Sequence, residues 1–174
     1  MQIIDFLESA GVSFTVHHHE PTDSALDRAE LFQGTQTQVV KPVLLKVDGT
    51  FAVALIAASS RISLLKVRQA LRAGRCGFAT EADAINLFVD CDPGVINAFG
   101  SQYSLTTLID KHLTRAMHLL FPGNRQSESI HLSLQDFEKL ERPKIVDVCR
   151  NFSRSPNPTD IPSEGLPTGP GNPK

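Results

Sequence analysis

No stretch of this chain is long and apolar enough to cross a bilayer. The strongest apolar run, Phe51 to Ala58, has the length of a strand. The N-terminus, Met1-Gln2-Ile3-Ile4-Asp5, lacks the basic start and extended apolar stretch of a secretory signal. Cysteine is scarce. Cys76, Cys91 and Cys149 are odd in number and widely spaced, so they form neither a disulfide framework nor a CxxC metal motif. The chain reads as a reduced, cytoplasmic protein. A cationic excess is missing as well: 17 Lys and Arg stand against 19 Asp and Glu, a formal charge of −2. That excludes a bulk nucleic-acid binder and confines any RNA contact to a local patch. Neither a membrane nor DNA is expected as a partner.

Several catalytic signatures are absent too. Ser59-Ser60-Arg61 has no GxSxG elbow around it. There is no HExxH. His17-His18-His19 resembles a metal cluster, but alternate strand residues face opposite sides, so only His17 and His19 share a face. Two ligands do not make a zinc site. No metal and no cofactor are expected.

What is present is one domain's worth of amphipathic segments, residues 1–150, ahead of a different kind of sequence. Ile3, Ile4, Phe6 and Leu7 form a helical stripe that Gly11 stops. Val12 to His17 alternates like a short strand. Ser24 to Phe32 reads as a helix with Ala25, Leu26, Ala29 and Phe32 inward. Val39–Val47 and Thr50–Ala58 are strands joined by Asp48-Gly49, a strong hairpin signal. Ser63 caps a helix to Arg72, with Leu64, Leu65, Val67, Ala70 and Leu71 inward. Thr80-Glu81-Ala82-Asp83 reads as a capping box before a short helix to Phe88. Strands are expected at Leu105–Ile109, Ala116–Phe121 and Ser129–Leu132, and a helix from Ser133 to about Leu140. Hairpins and helices interspersed in this way argue for an α+β domain, a central mixed and mainly antiparallel sheet flanked by helices. From Ser153 onward prolines alternate with Gly, Ser, Thr and Asn. Such a segment cannot bury enough apolar surface to offset its ordering entropy, so 151–174 is expected to be a disordered tail.

Lys41 is the one charge in the apolar stretch Val39-Val40-Lys41-Pro42-Val43-Leu44-Leu45. A lysine so placed does one of two things. Its stem is buried and its head snorkels to water, or its head faces a cleft and holds an anion. The loop Asp92-Pro93-Gly94-Val95-Ile96-Asn97-Ala98-Phe99-Gly100 also has two readings. Gly94 and Gly100 allow positive φ and close backbone approach, and free amides there can polarise an ester carbonyl. A tight connection between a helix and a strand uses the same residue types. Cys91 is either a nucleophile or a small core residue, and with no adjacent base the core reading is favoured. His131 sits in an apparent strand, lining a cleft or half-exposed.

Taken in order, His19-Glu20-Pro21, Val39 to Leu45, Asp92 to Gly100 and Ile130-His131-Leu132-Ser133-Leu134-Gln135-Asp136-Phe137 resemble the YbaK / prolyl-tRNA-synthetase-associated editing-domain family over residues 1–149. The resemblance implies a mixed α+β fold and hydrolysis, without metal, of the ester of a mischarged aminoacyl-tRNA. A tRNA-Pro type is the expected substrate. It implies that Lys41 grips the phosphate end of the tRNA and that the backbone at Gly94 surrounds the ester. It also implies that a hydroxyl of the terminal ribose helps to activate water. His19, Asp92, Asn97, Ala98, Phe99, Gly100 and His131 are the expected substrate contacts. The partners implied are the acceptor end of an aminoacyl-tRNA and an aminoacyl-tRNA synthetase. Lys46, Arg61, Lys66, Arg68, Arg72 and Arg75 are available for a basic patch. The family's loop pattern is Gly-x-x-x-Pro, and here the proline position is Ala98. Proline fixes φ where alanine relaxes it, so the alternative is a non-catalytic member that binds a tRNA end or a protein partner.

Overall fold

A computed structural model describes residues 1–22, 24–32 and 38–150. The proline-rich segment expected to be a disordered tail lies outside the described residues. The helices are α1 (Ile3–Ala10), α2 (Ala25–Leu31), α3 (Leu64–Leu71), α4 (Glu81–Leu87) and α5 (Leu134–Glu141). The strands are β1 (Phe14–His18), β2 (Gln38–Val47), β3 (Thr50–Ala57), β4 (Cys76–Phe78), β5 (Thr106–Asp110), β6 (His118–Pro122), β7 (Glu128–Ser133) and β8 (Lys144–Val146). They form one eight-stranded sheet in the order β1-β7-β6-β2-β3-β5-β8, with β4 also paired to β2. The pairs β1/β7, β6/β7, β2/β3 and β2/β4 are antiparallel, while β2/β6, β3/β5 and β5/β8 are parallel. The fold is therefore the mixed, mainly antiparallel α+β domain that the residue pattern implies.

Local chemistry sets the element ends. The side chains of Ser24, Ser63, Thr80 and Ser133 each accept a hydrogen bond from a backbone amide in the first turn of α2, α3, α4 and α5. At α4 the capping box closes reciprocally, Asp83 accepting from the Thr80 amide at 2.9 Å. Asp48 and Gly49, both at positive φ, turn β2 into β3.

Both faces of the central strands are covered. On one face α1, α5 and the 92–100 loop bring Ile3, Leu7, Phe99 and Phe137 against Val40, Leu44, Val53 and Leu55. On the other, Val67 of α3 with Val148 and Cys149 covers Leu45, Ala52, Ala54 and Ile56. Burial on two faces explains why β3 reads as an unbroken apolar run. Three expectations on helix faces are corrected: Leu26 and Leu65, placed inward by the pattern, are 54% and 57% exposed, and Ala70 is exposed as well. Strands β4 and β8 escaped the sequence reading because three residues carry no period.

Candidate functional site

The cleft begins with an incomplete sheet edge. Along one side β2 pairs with β3 from Val40 to Val47. On the opposite side it pairs with β6 only at Gln38 and Val39, and with β4 only from Leu45 to Val47. Residues 40–43 are thus left without a strand neighbour on that edge among the described residues. Pro42, which has no N–H to give a ladder, lies in this gap, where its missing donor costs nothing. Opposite stand α2, the start of α4 and the loop after it, enclosing a cleft of about 500 Å³ lined by Thr22, Arg28, Lys41, Glu81, Gly94 and Ile96 among others. A more apolar hollow of about 340 Å³ continues from it past Lys41, Gly94 and Ile96 to Val43, Phe78 and Ala84.

The loop wall is held rigidly. Gly94 has φ +85°, a conformation that disfavours any side chain. Gln126 fastens the entry, its amide donating to Asp92 Oδ2 at 3.1 Å and its side chain to the Pro93 carbonyl at 3.0 Å. The Val95 amide donates back to the Asp92 carbonyl at 3.0 Å. Gly94 and Ile96 both line the cleft, and their amides have no acceptor among the described residues.

Behind the wall, Asn97, Ala98, Phe99 and Gly100 are buried and do not line the cleft. This corrects their expected placement at the substrate surface. Asn97 accepts from the Phe99 amide at 2.8 Å and donates to the Tyr103 hydroxyl at 3.2 Å. The Phe99 ring packs edge-on against Phe6 and Phe137 and beside Phe121. Gly100 sits so close to Thr107 that a Cβ would lie 2.6 Å from its hydroxyl. Apolar burial drew these residues inward, so they set the loop's shape from below. Asp92 is exposed and borders a neighbouring hollow between α4 and the loop.

Lys41 lines the cleft, and its ammonium donates to the Ser60 carbonyl at 2.6 Å. Partial burial lowers its pKa; Cys149 opposes that shift and the Arg61 charge adds to it. Its stem thus carries a movable charge on one wall of the cleft. Of the other expected cations, Lys66 is paired with Asp147 at 2.9 Å and Lys46 lies over the Phe51 ring.

His19 and His131 do not meet. His19 Nδ1 donates to the Glu20 carbonyl at 2.7 Å, and Nε2 shares a hydrogen bond with Ser129 Oγ at 2.8 Å. It pins the end of β1, and through it Thr22, beside β7. His131 stacks on His118, with centroids 5.0 Å apart, and meets His17 edge-on. It lines a separate hollow with Ser13, Thr15 and Asp136 that shares no residue with the Lys41 cleft. Burial pushes the Cys91 and Cys149 thiols up to about 11, so neither is a thiolate at neutral pH.

Two cleft residues escaped the sequence reading, Thr22 and Arg28. Arg28 is 5% exposed, and its Nε has no hydrogen-bond partner among the described residues; the same holds for the buried Thr22 hydroxyl. The signal was available. Ala25, Arg28, Ala29 and Phe32 follow the i, i+3, i+4, i+7 spacing of an inward stripe, which puts an arginine where Leu26 was expected to point.

An aminoacyl-tRNA editing domain model matches residues 19–140, which is more than half of the chain and contains the β2 edge, the loop and α2. The chain belongs to the aminoacyl-tRNA editing domain family. No curated protein sequence is significantly similar to this editing domain. Solved structures share its fold. One described only as a hypothetical protein has a TM-score of 0.77 at 13% identity, covering 86% of this chain and 100% of its own. Another, described as a candidate trans-editing enzyme for prolyl tRNA synthetase, has a TM-score of 0.74 at 17% identity, covering 85% of this chain and 94% of its own. Among the described residues no helix of the editing domain is long and apolar enough to cross a membrane.

Proposed function

We propose that this chain is a cytoplasmic trans-editing deacylase that hydrolyses the ester of a mischarged aminoacyl-tRNA, with tRNA-Pro species as the first substrates to consider. The observation that carries this reading is the pair of unengaged amides at Gly94 and Ile96, on a rigid loop facing a lysine-bearing strand edge. Preorganised donors of this kind stabilise charge that develops in the transition state.

The acceptor end enters between β2 and the loop. The Lys41 ammonium exchanges the Ser60 carbonyl for the terminal phosphate, replacing a neutral acceptor with an anionic one. Water attacks the ester carbon, assisted by a hydroxyl of the substrate's own ribose. The carbonyl electron pair moves onto its oxygen, where the Gly94 and Ile96 amides receive the charge. As that pair returns, the bond to the ribose oxygen breaks, the ribose oxygen takes a proton, and free amino acid leaves. Asn97, Ala98, Phe99 and Gly100 contribute by holding the loop, and the hollow past Phe78 is available to the amino-acid side chain. A pocket of this kind discriminates poorly between small apolar side chains, the situation in which a separate editing step is needed.

The rival reading, a binding module that has lost hydrolysis, is motivated by Ala98 in the family's proline position. The Asn97 bridge to the Phe99 amide supplies a local restraint where proline would have acted, which favours the enzyme. The test is deacylation of a panel of mischarged tRNAs by the wild type and by Lys41→Ala. We expect one or two species to be hydrolysed, and the variant to lose activity by a hundredfold or more, about 2.7 kcal/mol. An undiminished rate in a folded Lys41→Ala removes that residue from the mechanism. Silence of the folded wild type across the panel selects the binding module.

A further inference from the structure

Thr22 and Arg28 put two unpartnered, buried polar groups on one wall of the cleft, and we infer that they form a subsite for an oxyanion of the ligand. The inference deepens the editing reading and rests on the cleft being where the ligand sits. Arg28 is 5% exposed, its Nε makes no hydrogen bond, and no carboxylate lies within ion-pairing distance among the described residues. A charge taken out of water without a partner is disfavoured strongly enough that buried arginines are normally paired. Burial also lowers its pKa. The apolar stripe of α2 anchors the helix that carries it, with Ala25, Ala29 and Phe32 packed on the small core formed by Val39, Ala58 and Leu120. The Thr22 hydroxyl, on the same cleft lining, has no partner among the described residues, while the Thr22 amide is fixed to the Gln126 carbonyl at 3.2 Å.

Among the described residues Glu81, an exposed residue of α4, is the one carboxylate on the cleft wall, and it forms no ion pair with Arg28. A planar guanidinium and a hydroxyl lining one cleft suit a carboxylate or a phosphate, and a neutral carbonyl would leave the charge uncompensated. Two parts of an aminoacyl-tRNA carry such a group: the phosphodiester of the acceptor end, and an acidic amino-acid side chain. Their shared chemistry is what Arg28 and Thr22 would read.

The test compares anionic ligands with their neutral counterparts by calorimetry. The pairs are adenosine monophosphate against adenosine, and N-acetyl-aspartate α-methyl ester against N-acetyl-asparagine methyl ester. The wild type is expected to prefer at least one anion by about tenfold or more. Preference for the nucleotide assigns the subsite to the acceptor end, and preference for the aspartyl ester assigns it to the side chain. Arg28→Met should abolish the preference and Arg28→Lys restore part of it. In the ligand-free protein Arg28→Met should melt no lower than the wild type, which a purely structural arginine would not allow. Equal binding within both pairs, a preference that survives Arg28→Met, or a clear fall in that variant's Tm each overturns the subsite. Its failure is separable from failure of the editing reading: an active deacylase without the preference loses only the subsite, and an inactive protein with it loses only the editing.

Discussion

The two walls of the cleft are built on opposite plans. The loop wall is over-determined: Gln126 grips its entry from one side, Asn97 bridges its turn, and Phe99 is locked among Phe6, Phe121 and Phe137. Beyond it, buried Glu141 accepts from the amide and hydroxyl of Ser101 and from the Thr107 hydroxyl, tying the loop's exit to α5 and β5. The α2 wall is the reverse. Arg28 is buried and Thr22 half-buried, yet Arg28 Nε and the Thr22 hydroxyl have no hydrogen-bond partner among the described residues. The difference teaches where the free energy of folding is spent on shape and where polar groups are left for something outside the chain. A rigid surface preorganises donors, and an unsatisfied one gains when a ligand arrives.

Four substitutions sharpen or break that contrast. Phe99→Ala should have the largest effect, lowering unfolding free energy by about 3–5 kcal/mol through the cavity it leaves under the loop, read by urea denaturation. Glu141→Ala should cost about 1–3 kcal/mol, since it strands the buried Thr107 hydroxyl and releases two part-buried bonds from exposed Ser101; a smaller loss would show that water replaces it. Gly94→Ala should cost about 1–2 kcal/mol from the positive φ alone. The added Cβ meets only the Gln126 side chain at 3.9 Å, so the fold survives and any larger drop in deacylation reports displaced amides. Arg28→Met should have the smallest effect on stability, zero or a slight gain. A loss there comparable to that of Glu141→Ala would end the contrast between the walls.

Much of the frame was legible in the sequence. Ser24, Ser63, Thr80 and Ser133 marked helix starts because capping is a local matter between one side chain and the next turn. Asp48-Gly49 announced its hairpin for the same reason. Lys41 and Gly94 do line one cleft, although 53 residues apart by their numbers. The site's finer assignment was less legible. Asn97 to Gly100 share a loop with Gly94, and only packing reveals that the chain dives into the core after Ile96. His131 has the same strand character as a cleft residue, and the sheet order carries it to another hollow. Arg28 was hidden because Leu26 offered a more conventional inward residue.

The sequence by itself determined the elements whose signals lie within one turn of chain: caps, the hairpin, strand runs, and a family pattern carried by β2 and the 92–100 loop. Only the tertiary structure decided which edge of β2 stays open, which loop residues face the cleft, and that Arg28 Nε and the Thr22 hydroxyl have no hydrogen-bond partner among the described residues. Those outcomes depend on contacts between residues far apart in the chain. Their energies are settled jointly by the whole packing arrangement, and no local window contains them.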